Sequence, residues 1–230
     1  MRTFVPSVSL VSSVPAGRVF LLSPANCGGT RARQALSPKA TFKLAVALRS
    51  TEGAPLGDLF SFMSGLYFRG KLTYARRFAR PAEPGNPIVG SGIHVITANA
   101  GLRSPDTLVT RAAVEAFGQG DIDAANASYR RPLEASARAL LAEIGSDCDV
   151  VLLGSIASPK YVDVLAGIFG ARLQFPVAFV GRGDMSRGGL LLRHARDGVE
   201  LEYGPVLGAS VHGVRPPKLP PLRHGRSADL

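Results

Sequence analysis

The segment VFLLSPANCGGTRARQAL (residues 19–36) decides the fold prediction. Four apolar residues are followed by Pro24 and by a turn of small residues that includes Gly28 and Gly29. A short apolar run that ends in such a turn is typical of a strand buried on both faces and leading into a helix. We therefore predict a strand over 18–23 and a helix over 30–36, the first unit of an α/β protein.

The alternation of apolar strands and helical segments continues along the chain. Further strands are predicted over 93–97, 149–155 and 175–180, with an edge strand over 199–203. Helices are predicted over 39–48, 105–117, 123–144 and 159–169, with two more, separated by a bend, within 59–79. Ser37 is predicted to cap the helix over 39–48, and Pro132 to kink or split the helix over 123–144. The glycine-rich segment RGDMSRGG (182–189) is predicted to form a loop that a short helical stretch follows. These elements predict a single layered α/β domain with a mostly parallel central sheet flanked by helices.

Composition divides the chain into three parts. We predict an N-terminal extension over 1–17, the α/β domain over 18–210, and an extended or disordered basic, proline-rich tail over 211–230. The first part has one Arg and an apolar stretch broken by serines and prolines, unlike a signal peptide. No apolar run approaches the roughly 20 residues that span a bilayer, and the chain has two cysteines. The expected setting is the reducing cytoplasm, without a membrane partner.

The positive charge is concentrated in the first half of the chain. The formal net charge is +10, and the first 120 residues contain 14 basic and 5 acidic side chains. This asymmetry predicts a cationic face suited to phosphates or anionic lipids. The alternative interpretation is that the arginines are solvated and serve solubility.

Small and polar residues follow three of the predicted strands. In a parallel sheet these strand ends share one edge, where small side chains allow a ligand to reach the backbone N–H groups. The candidate cleft residues are Ser23, Asn26, Cys27, Gly28, Gly29, Asn99, Ser155 and Ser158, with cations at Arg31, Arg33 and Lys160. The alternative is ordinary turn chemistry. The glycine pair has neither the spacing of a dinucleotide fingerprint nor a Walker lysine, and Cys27 is either a nucleophile at a helix N-terminus or a small filler.

Aromatic and basic residues alternate in SGLYFRGKLTYARRFAR (residues 64–80). Cations neutralise phosphates and aromatic rings stack on bases, so Tyr67, Arg69 and Lys71 are candidate nucleic-acid contacts. On a helix the same segment would turn an apolar stripe inward and leave every cation in water. Both interpretations remain open at this point.

Metal and cofactor chemistry receives no support from the sequence. The chain contains no HxxxH, CxxC or paired-carboxylate spacing, and His94 is predicted to be a hydrogen-bonded residue in or beside the core. We therefore expect neither a metal site nor a cofactor.

Four motifs occur in an order that resembles the peroxide-stress protein YaaA family. They are FLLSPANCGG, FSFMSGLYFRGKLTYARRF, IHVITANAGLRSPDTLV and VVLLGSIASPKYVDVL, together spanning roughly residues 18–168. The resemblance implies a compact α/β fold, related in outline to uracil-DNA-glycosylase-like domains, with DNA binding and protection during oxidative stress. The chain has Asn26-Cys27 where that family has Lys-Thr, and it lacks the glycosylase motifs, so glycosylase activity is not carried over.

Three functions follow from these observations. The leading hypothesis is a protein that binds nucleic acid, in particular DNA, with phosphate held at the strand ends. The second is an enzyme acting on a nucleobase or nucleoside derivative, which predicts that Asn26, Asn99 and Ser155 converge in one pocket. The third is a scaffold whose basic tail binds a partner. Whether the protein is an enzyme is left open by the sequence.

Overall fold

The computed structural model describes residues 17–219, which fold around a mixed, mostly parallel six-stranded sheet flanked by helices. The strands are β1 (Gly17–Leu22), β2 (Ala54–Pro55), β3 (Ile93–Ile96), β4 (Leu102–Arg103), β5 (Leu108–Val109), β6 (Cys148–Leu153), β7 (Leu173–Pro176) and β8 (Tyr203–Pro205). The helices are α1 (Thr30–Leu36), α2 (Lys43–Arg49), α3 (Leu56–Ser64), α4 (Leu66–Phe78), α5 (Arg111–Gln119), α6 (Ala127–Glu143), α7 (Pro159–Phe169) and α8 (Asp184–Asp197). Within these described residues, no helix combines the length and apolarity needed to cross a membrane.

The sheet has the strand order β4-β3-β1-β6-β7-β8. The four central strands are parallel, and β4 and β8 close the two edges in the antiparallel direction. The chain passes from β1 to β3 on one side and later to β6 on the other. In open α/β sheets this change of direction leaves a crevice between the carboxyl ends of the two diverging strands. The crevice here lies between β1 and β6.

Alternate side chains of the central strands enter two different cores. Phe20 and Leu22 of β1 pack in one core with α3, α4 and α8, whereas Val19 and Leu21 pack in the other with α6 and α7. All four are fully buried. Burial on both faces explains why these strands are continuous apolar runs and not alternating ones.

Helices α4 and α8 cross in direct backbone contact. A Cβ at Gly70 would lie 2.6 Å from the Gly188 carbonyl oxygen, and a Cβ at Gly188 would lie 2.7 Å from the Leu66 carbonyl oxygen. Neither distance is compatible with a side chain, so only glycine permits this approach. The crossing brings the first turns of α4 and α8 together beside the end of β1.

A buried ion-pair network lies near the start of β1. The Arg18 guanidinium contacts Asp149 at 3.3 Å and also pairs with Glu200. Glu200 accepts a hydrogen bond from the Tyr203 hydroxyl, which in turn lies 2.5 Å from the Tyr74 hydroxyl. The network ties the segment after α8 to β1 and α4.

The predicted strands over 18–23, 93–97 and 149–155 and the helix over 30–36 are present within one or two residues. The helix predicted over 159–169 is also present and ends at Gly170, whose φ is +55°. The bend between α3 and α4 falls at Gly65, which has a φ of +60°.

Several other predicted boundaries were wrong. Ser37 does not begin a helix, because its N–H donates to the Gln34 carbonyl and closes α1, and α2 begins only at Lys43. The helix predicted from residue 105 begins at Arg111, since β5 first pairs with β2. Helix α6 continues through Pro132, which lies in its second turn, where one helical hydrogen bond is lost.

The predictions for the last third were also partly wrong. The loop predicted over 182–189 was wrong beyond Gly183, since α8 begins at Asp184, whereas the short helical stretch predicted after it is present as the rest of α8. The strand predicted over 175–180 is instead β7, followed by a 3₁₀ turn over Val177–Phe179, and the edge strand is β8. Residues 211–219 form neither helix nor strand, and Val214 packs against Gly181. Of the extension predicted over 1–17, Gly17 is the first residue of β1, and residues 1–16, like the tail beyond 219, lie outside the described residues.

Candidate functional site

A cavity of about 310 Å³ opens at the carboxyl ends of β1 and β6. Residues that follow the two strands form one side of it, and residues of α4, α7 and α8 form the other. We call it the β1–β6 cavity, and its polar walls are formed by Ser23, Asn26, Ser155, Tyr67, Tyr161, Asp184 and Lys160. The cavity therefore occupies the crevice that the strand order predicts for ligands of such sheets.

Lys71 lies directly behind Ser23. Its side chain projects from α4 towards the end of β1 and is 1% exposed. The amine donates hydrogen bonds to the Ser23 hydroxyl at 2.8 Å and to the Ser23 carbonyl oxygen at 2.5 Å. It also lies 4.5 Å from the centre of the Tyr67 ring and 4.8 Å from that of Phe68. Lys71 is thus an interior residue and not part of the cationic surface that the sequence predicts.

The environment of Lys71 favours the uncharged amine. Burial lowers the pKa of Lys71 to about 7, and the more distant carboxylate of Asp184 opposes this effect only in part. Among the described residues, no carboxylate lies within ion-pair distance of the amine. At neutral pH the amine is therefore divided between its charged and neutral forms, which is the condition for a proton acceptor.

Two tyrosine hydroxyls flank Ser23. Tyr161 accepts a hydrogen bond from the Ser155 N–H at 3.0 Å and donates to the Ser155 carbonyl at 3.1 Å. Gly154 makes room for it, because a Cβ there would lie 3.0 Å from both the Tyr161 hydroxyl and the Ser23 Cβ. Burial raises the pKa of Tyr161, so the hydroxyl keeps its proton at neutral pH.

Tyr67 is buried and therefore cannot offer the stacking face that the sequence predicts. The residue is 6% exposed, and its hydroxyl makes no hydrogen bond of ordinary geometry to a described residue. Burial raises the pKa of Tyr67, and the nearby Arg187 guanidinium opposes this rise. Tyr67 lines the cavity, and its buried hydroxyl lies close to the Arg187 guanidinium.

Asp184, which lines the cavity, and its neighbour Arg187 are residues that the sequence analysis does not select. They pair at 3.5 Å on the first turn of α8, and Arg187 also donates two hydrogen bonds to the Phe179 carbonyl. The sequence analysis predicts a helical stretch only after Gly189, because the glycines conceal that the helix already begins at Asp184. Tyr161 lies in the motif VVLLGSIASPKYVDVL, but the sequence analysis does not name it as a candidate site residue.

The glycine turn after β1 is closed by its own side chains. The Asn26 carbonyl oxygen accepts the Gly28 N–H at 2.9 Å, so this donor is not free for a ligand. Gly29 occupies the N-cap position of α1. Cys27 is buried, and burial raises the pKa of its thiol to about 12, which favours its interpretation as a filler.

The predicted cations occupy different surroundings. Arg31 donates a hydrogen bond to the Phe62 carbonyl of α3, and Arg33 donates one to the Gly28 carbonyl of the glycine turn. Both guanidinium groups remain exposed. Arg69 is exposed on α4, away from the β1–β6 cavity, and Lys160 is exposed on the cavity wall.

Asn99 and Ser158 do not join the cavity. Asn99 is half-buried in the turn after β3, and Ser158 occupies the N-cap position of α7 without a capping hydrogen bond from its side chain. Asn26 and Ser155 do line the cavity together, so the predicted convergence of three residues holds for two of them.

The part of the chain between residues 17 and 219 contains no cluster of His, Cys, Asp or Glu suited to a metal ion. His94 is 7% exposed, and its Nε2 lacks the hydrogen bond that the sequence analysis predicted. The chemistry available in the β1–β6 cavity is consequently that of hydroxyl groups, a carboxylate and a buried amine.

No protein-family model, curated protein or solved structure matches this chain.

Proposed function

We propose that the protein is an enzyme that acts on a nucleobase or nucleoside derivative in the β1–β6 cavity. The observation that carries this proposal is the position of Lys71, an amine buried behind the cavity and joined to it through the Ser23 hydroxyl. A buried titratable group that has a lowered pKa and lies beside a crevice at a strand-order reversal is typical of an active site.

The size and lining of the cavity favour a small substrate. Its volume is at the lower end of the range of about 300–1,000 Å³ that small-molecule sites occupy. Asn26 and Asp184 provide an amide and a carboxylate, and Ser23 and Ser155 provide hydroxyl groups. Such groups recognise the mixed donors and acceptors at the edge of a nucleobase.

The exposed amine of Lys160 extends the site towards phosphate. It is part of the cavity wall, whereas the Arg187 guanidinium is directed to Phe179 and Asp184. A 5′-phosphate on a nucleoside would place a negative charge where Lys160 can reach it. We therefore expect nucleotides to bind more tightly than the corresponding nucleosides.

Calorimetric titration with a panel of nucleobases, nucleosides and nucleotides tests this proposal. At least one compound should bind, and Lys160→Met should reduce the affinity for the nucleotide but not for the nucleoside. Lys39→Met, which removes an exposed lysine outside the cavity, is the matched control and should change neither affinity. The absence of binding across the panel would refute the proposed substrate class.

Turnover is tested separately with the compounds that bind. Mass spectrometry of the reaction mixture should detect a converted product with the wild-type protein and none with Lys71→Met. Because Lys71 contributes to the interior, circular dichroism must first show that the variant is folded. Unchanged turnover in a folded Lys71→Met variant would show that the amine has no catalytic role.

DNA binding is the second candidate function, and the exposed face of α4 favours it. Arg69, Arg76 and Arg77 all lie on that face, and the helix contains no acidic residue. Such a face suits a phosphate backbone. Fluorescence anisotropy at low salt should then show salt-dependent binding of a DNA duplex or single strand, which Arg69→Gln combined with Arg77→Gln should weaken. No binding at low salt would exclude this function.

A further inference from the structure

We propose that Ser23 and Lys71 form a nucleophile–base pair for acyl transfer, so that the substrate carries an ester or amide carbonyl. The proposal rests on the proposed function in placing that substrate in the β1–β6 cavity. It adds the reaction class and the atom of the protein that is acylated.

The arrangement of the two side chains assigns their roles. Ser23 lines the cavity, whereas Lys71 does not and reaches the cavity only through the Ser23 hydroxyl, 2.8 Å from its amine. A bound substrate would therefore meet the hydroxyl first. The amine is held at the distance from which it can take the hydroxyl proton.

Contacts around the pair fix its geometry. The second hydrogen bond of the amine, to the Ser23 carbonyl oxygen, orients Nζ towards the same residue. The Ser23 N–H donates to the Leu153 carbonyl at 3.2 Å, which anchors the residue to β6. Serine–lysine pairs that act without histidine are an established solution to nucleophilic catalysis.

The Tyr67 hydroxyl supplies a donor for the carbonyl oxygen. Tyr67 lines the same cavity, and its buried hydroxyl, which lies close to the Arg187 guanidinium, makes no hydrogen bond of ordinary geometry to a described residue. Negative charge develops on the carbonyl oxygen as the nucleophile attacks, and a preorganised hydroxyl donor stabilises it. Tyr161 cannot take this role as readily, because its hydroxyl already serves the Ser155 backbone.

The reaction balances with water as the only co-reactant. The neutral Lys71 amine takes the Ser23 proton while Oγ forms a bond to the carbonyl carbon and the C=O electron pair moves onto oxygen. When the carbonyl re-forms, the bond to the leaving amine or alcohol breaks, and that group takes the proton from Lys71. Water then gives a proton to Lys71, attacks the acyl-serine and releases the acid, while Ser23 regains its proton.

A fluorophosphonate probe, which phosphonylates activated serines, tests the pair directly in the full chain. Mass spectrometry of peptides should locate the adduct on Ser23, and Ser23→Ala should abolish it. Lys71→Met and Lys71→Arg should each slow labelling by about 100-fold or more, since neither side chain accepts the proton at neutral pH. Ser61→Ala, a half-buried serine of α3 outside the cavity, is the matched control and should label normally.

The pH profile separates a base from a merely structural lysine. The charged and titratable groups that face Lys71 are Asp184 of α8 and Tyr67 of α4, and Arg187 and Tyr161 in turn interact with Tyr67. The labelling rate should rise through about pH 7 and then level as the amine loses its proton. If the lysine variants do not fold, this profile and the Ser23→Ala and Ser61→Ala variants still decide the question.

The possible outcomes distinguish this inference from the proposed function. Binding of a nucleoside without a Ser23 adduct would overturn the nucleophile–base pair and leave the substrate class intact. A Ser23 adduct without any nucleoside binding would support the pair and refute the substrate class. Labelling that is independent of pH between 6 and 9 would overturn the role of Lys71.

Discussion

Replacing Lys71 with methionine is expected to remove a large part of the pH dependence of the stability of the fold. The Lys71 side chain is buried, and burial lowers its pKa from 10.5 to about 7. In the unfolded chain the amine is solvated and regains its ordinary pKa. Between pH 7 and pH 10.5 the unfolded chain therefore binds a proton that the folded chain does not, so the free energy of unfolding rises with pH over this interval.

The size of the effect follows from the two pKa values. Single-site linkage with pKa values of 10.5 and about 7 gives a rise in the free energy of unfolding of about 2 kcal/mol between pH 7 and pH 9. Methionine has a similar length and no charge, so the variant lacks this contribution. Loss of the hydrogen bonds to Ser23 costs about 1–3 kcal/mol at every pH, which changes the offset between the two proteins but not its slope.

Urea unfolding followed by circular dichroism, at half-unit intervals from pH 6 to pH 9, measures this difference. Other titrating groups contribute equally to both proteins and cancel when the two curves are subtracted. Lys160→Met, which removes an exposed lysine from the cavity wall, is the control and should keep the wild-type slope. Parallel curves for the wild-type protein and Lys71→Met would refute the argument, because the amine would then be equally solvated in both states.

Three further predictions concern packing, charge and reactivity. Gly188→Ala should lower the free energy of unfolding, measured by urea titration, by about 1–3 kcal/mol, because the new Cβ would meet the backbone of α4. The control is Gly167→Ala, in open space on α7, which should be neutral or stabilising by up to about 1 kcal/mol. Arg18→Met should cost about 3 kcal/mol, because Asp149 loses its ion pair and Glu200 keeps only its ion pair with the exposed Arg80. Arg76→Met, at an exposed ion pair, should cost less than about 1 kcal/mol, and equal losses would contradict this reasoning. The Cys27 thiol should react with a disulfide reagent at pH 8 only after urea is added, since burial raises its pKa to about 12, and rapid reaction of the native protein would show that it is accessible.

The position of the site could be predicted from the sequence because it depends on strand type. Strands with continuous apolar runs have both faces covered and are therefore parallel, and parallel strands bring their carboxyl ends to one edge. This reasoning placed Ser23, Asn26 and Ser155 at a common edge before any contact was known. All three line the β1–β6 cavity.

The depth of each side chain could not be predicted in the same way. Helix α4 has basic residues on several sides, and the sequence does not show which side another helix will cover. Helix α8 packs across α4 at Gly70. Lys71, which follows this glycine, is buried, whereas Arg69, which precedes it, and Arg76 remain in solvent. Burial of one cation among several is a tertiary effect that no local pattern encodes.

The glycines of α8 misled the prediction for a related reason. Glycine lowers helix propensity, and the cluster in residues 181–189 therefore indicates a loop. In the structure Gly188 is helical because the backbone of α4 occupies the space of its side chain. The same close contact that conceals the helix from the sequence brings Asp184 to the cavity.

A structural role alone does not account for Lys71. The lowered pKa of Lys71 reduces the free energy of unfolding at pH 7 by about 4 kcal/mol, calculated from the same two pKa values. Its two hydrogen bonds to Ser23 contribute about 0.5–1.5 kcal/mol each. An apolar residue of similar length would avoid the larger cost, so stability favours methionine at this position. Departures of this kind from the rules of core packing are expected where a group has a task in the chemistry of the protein. The energetic cost of the amine, its contact with a cavity-lining hydroxyl and its place at the reversal of strand order are therefore the observations on which the proposed catalysis at Ser23 rests.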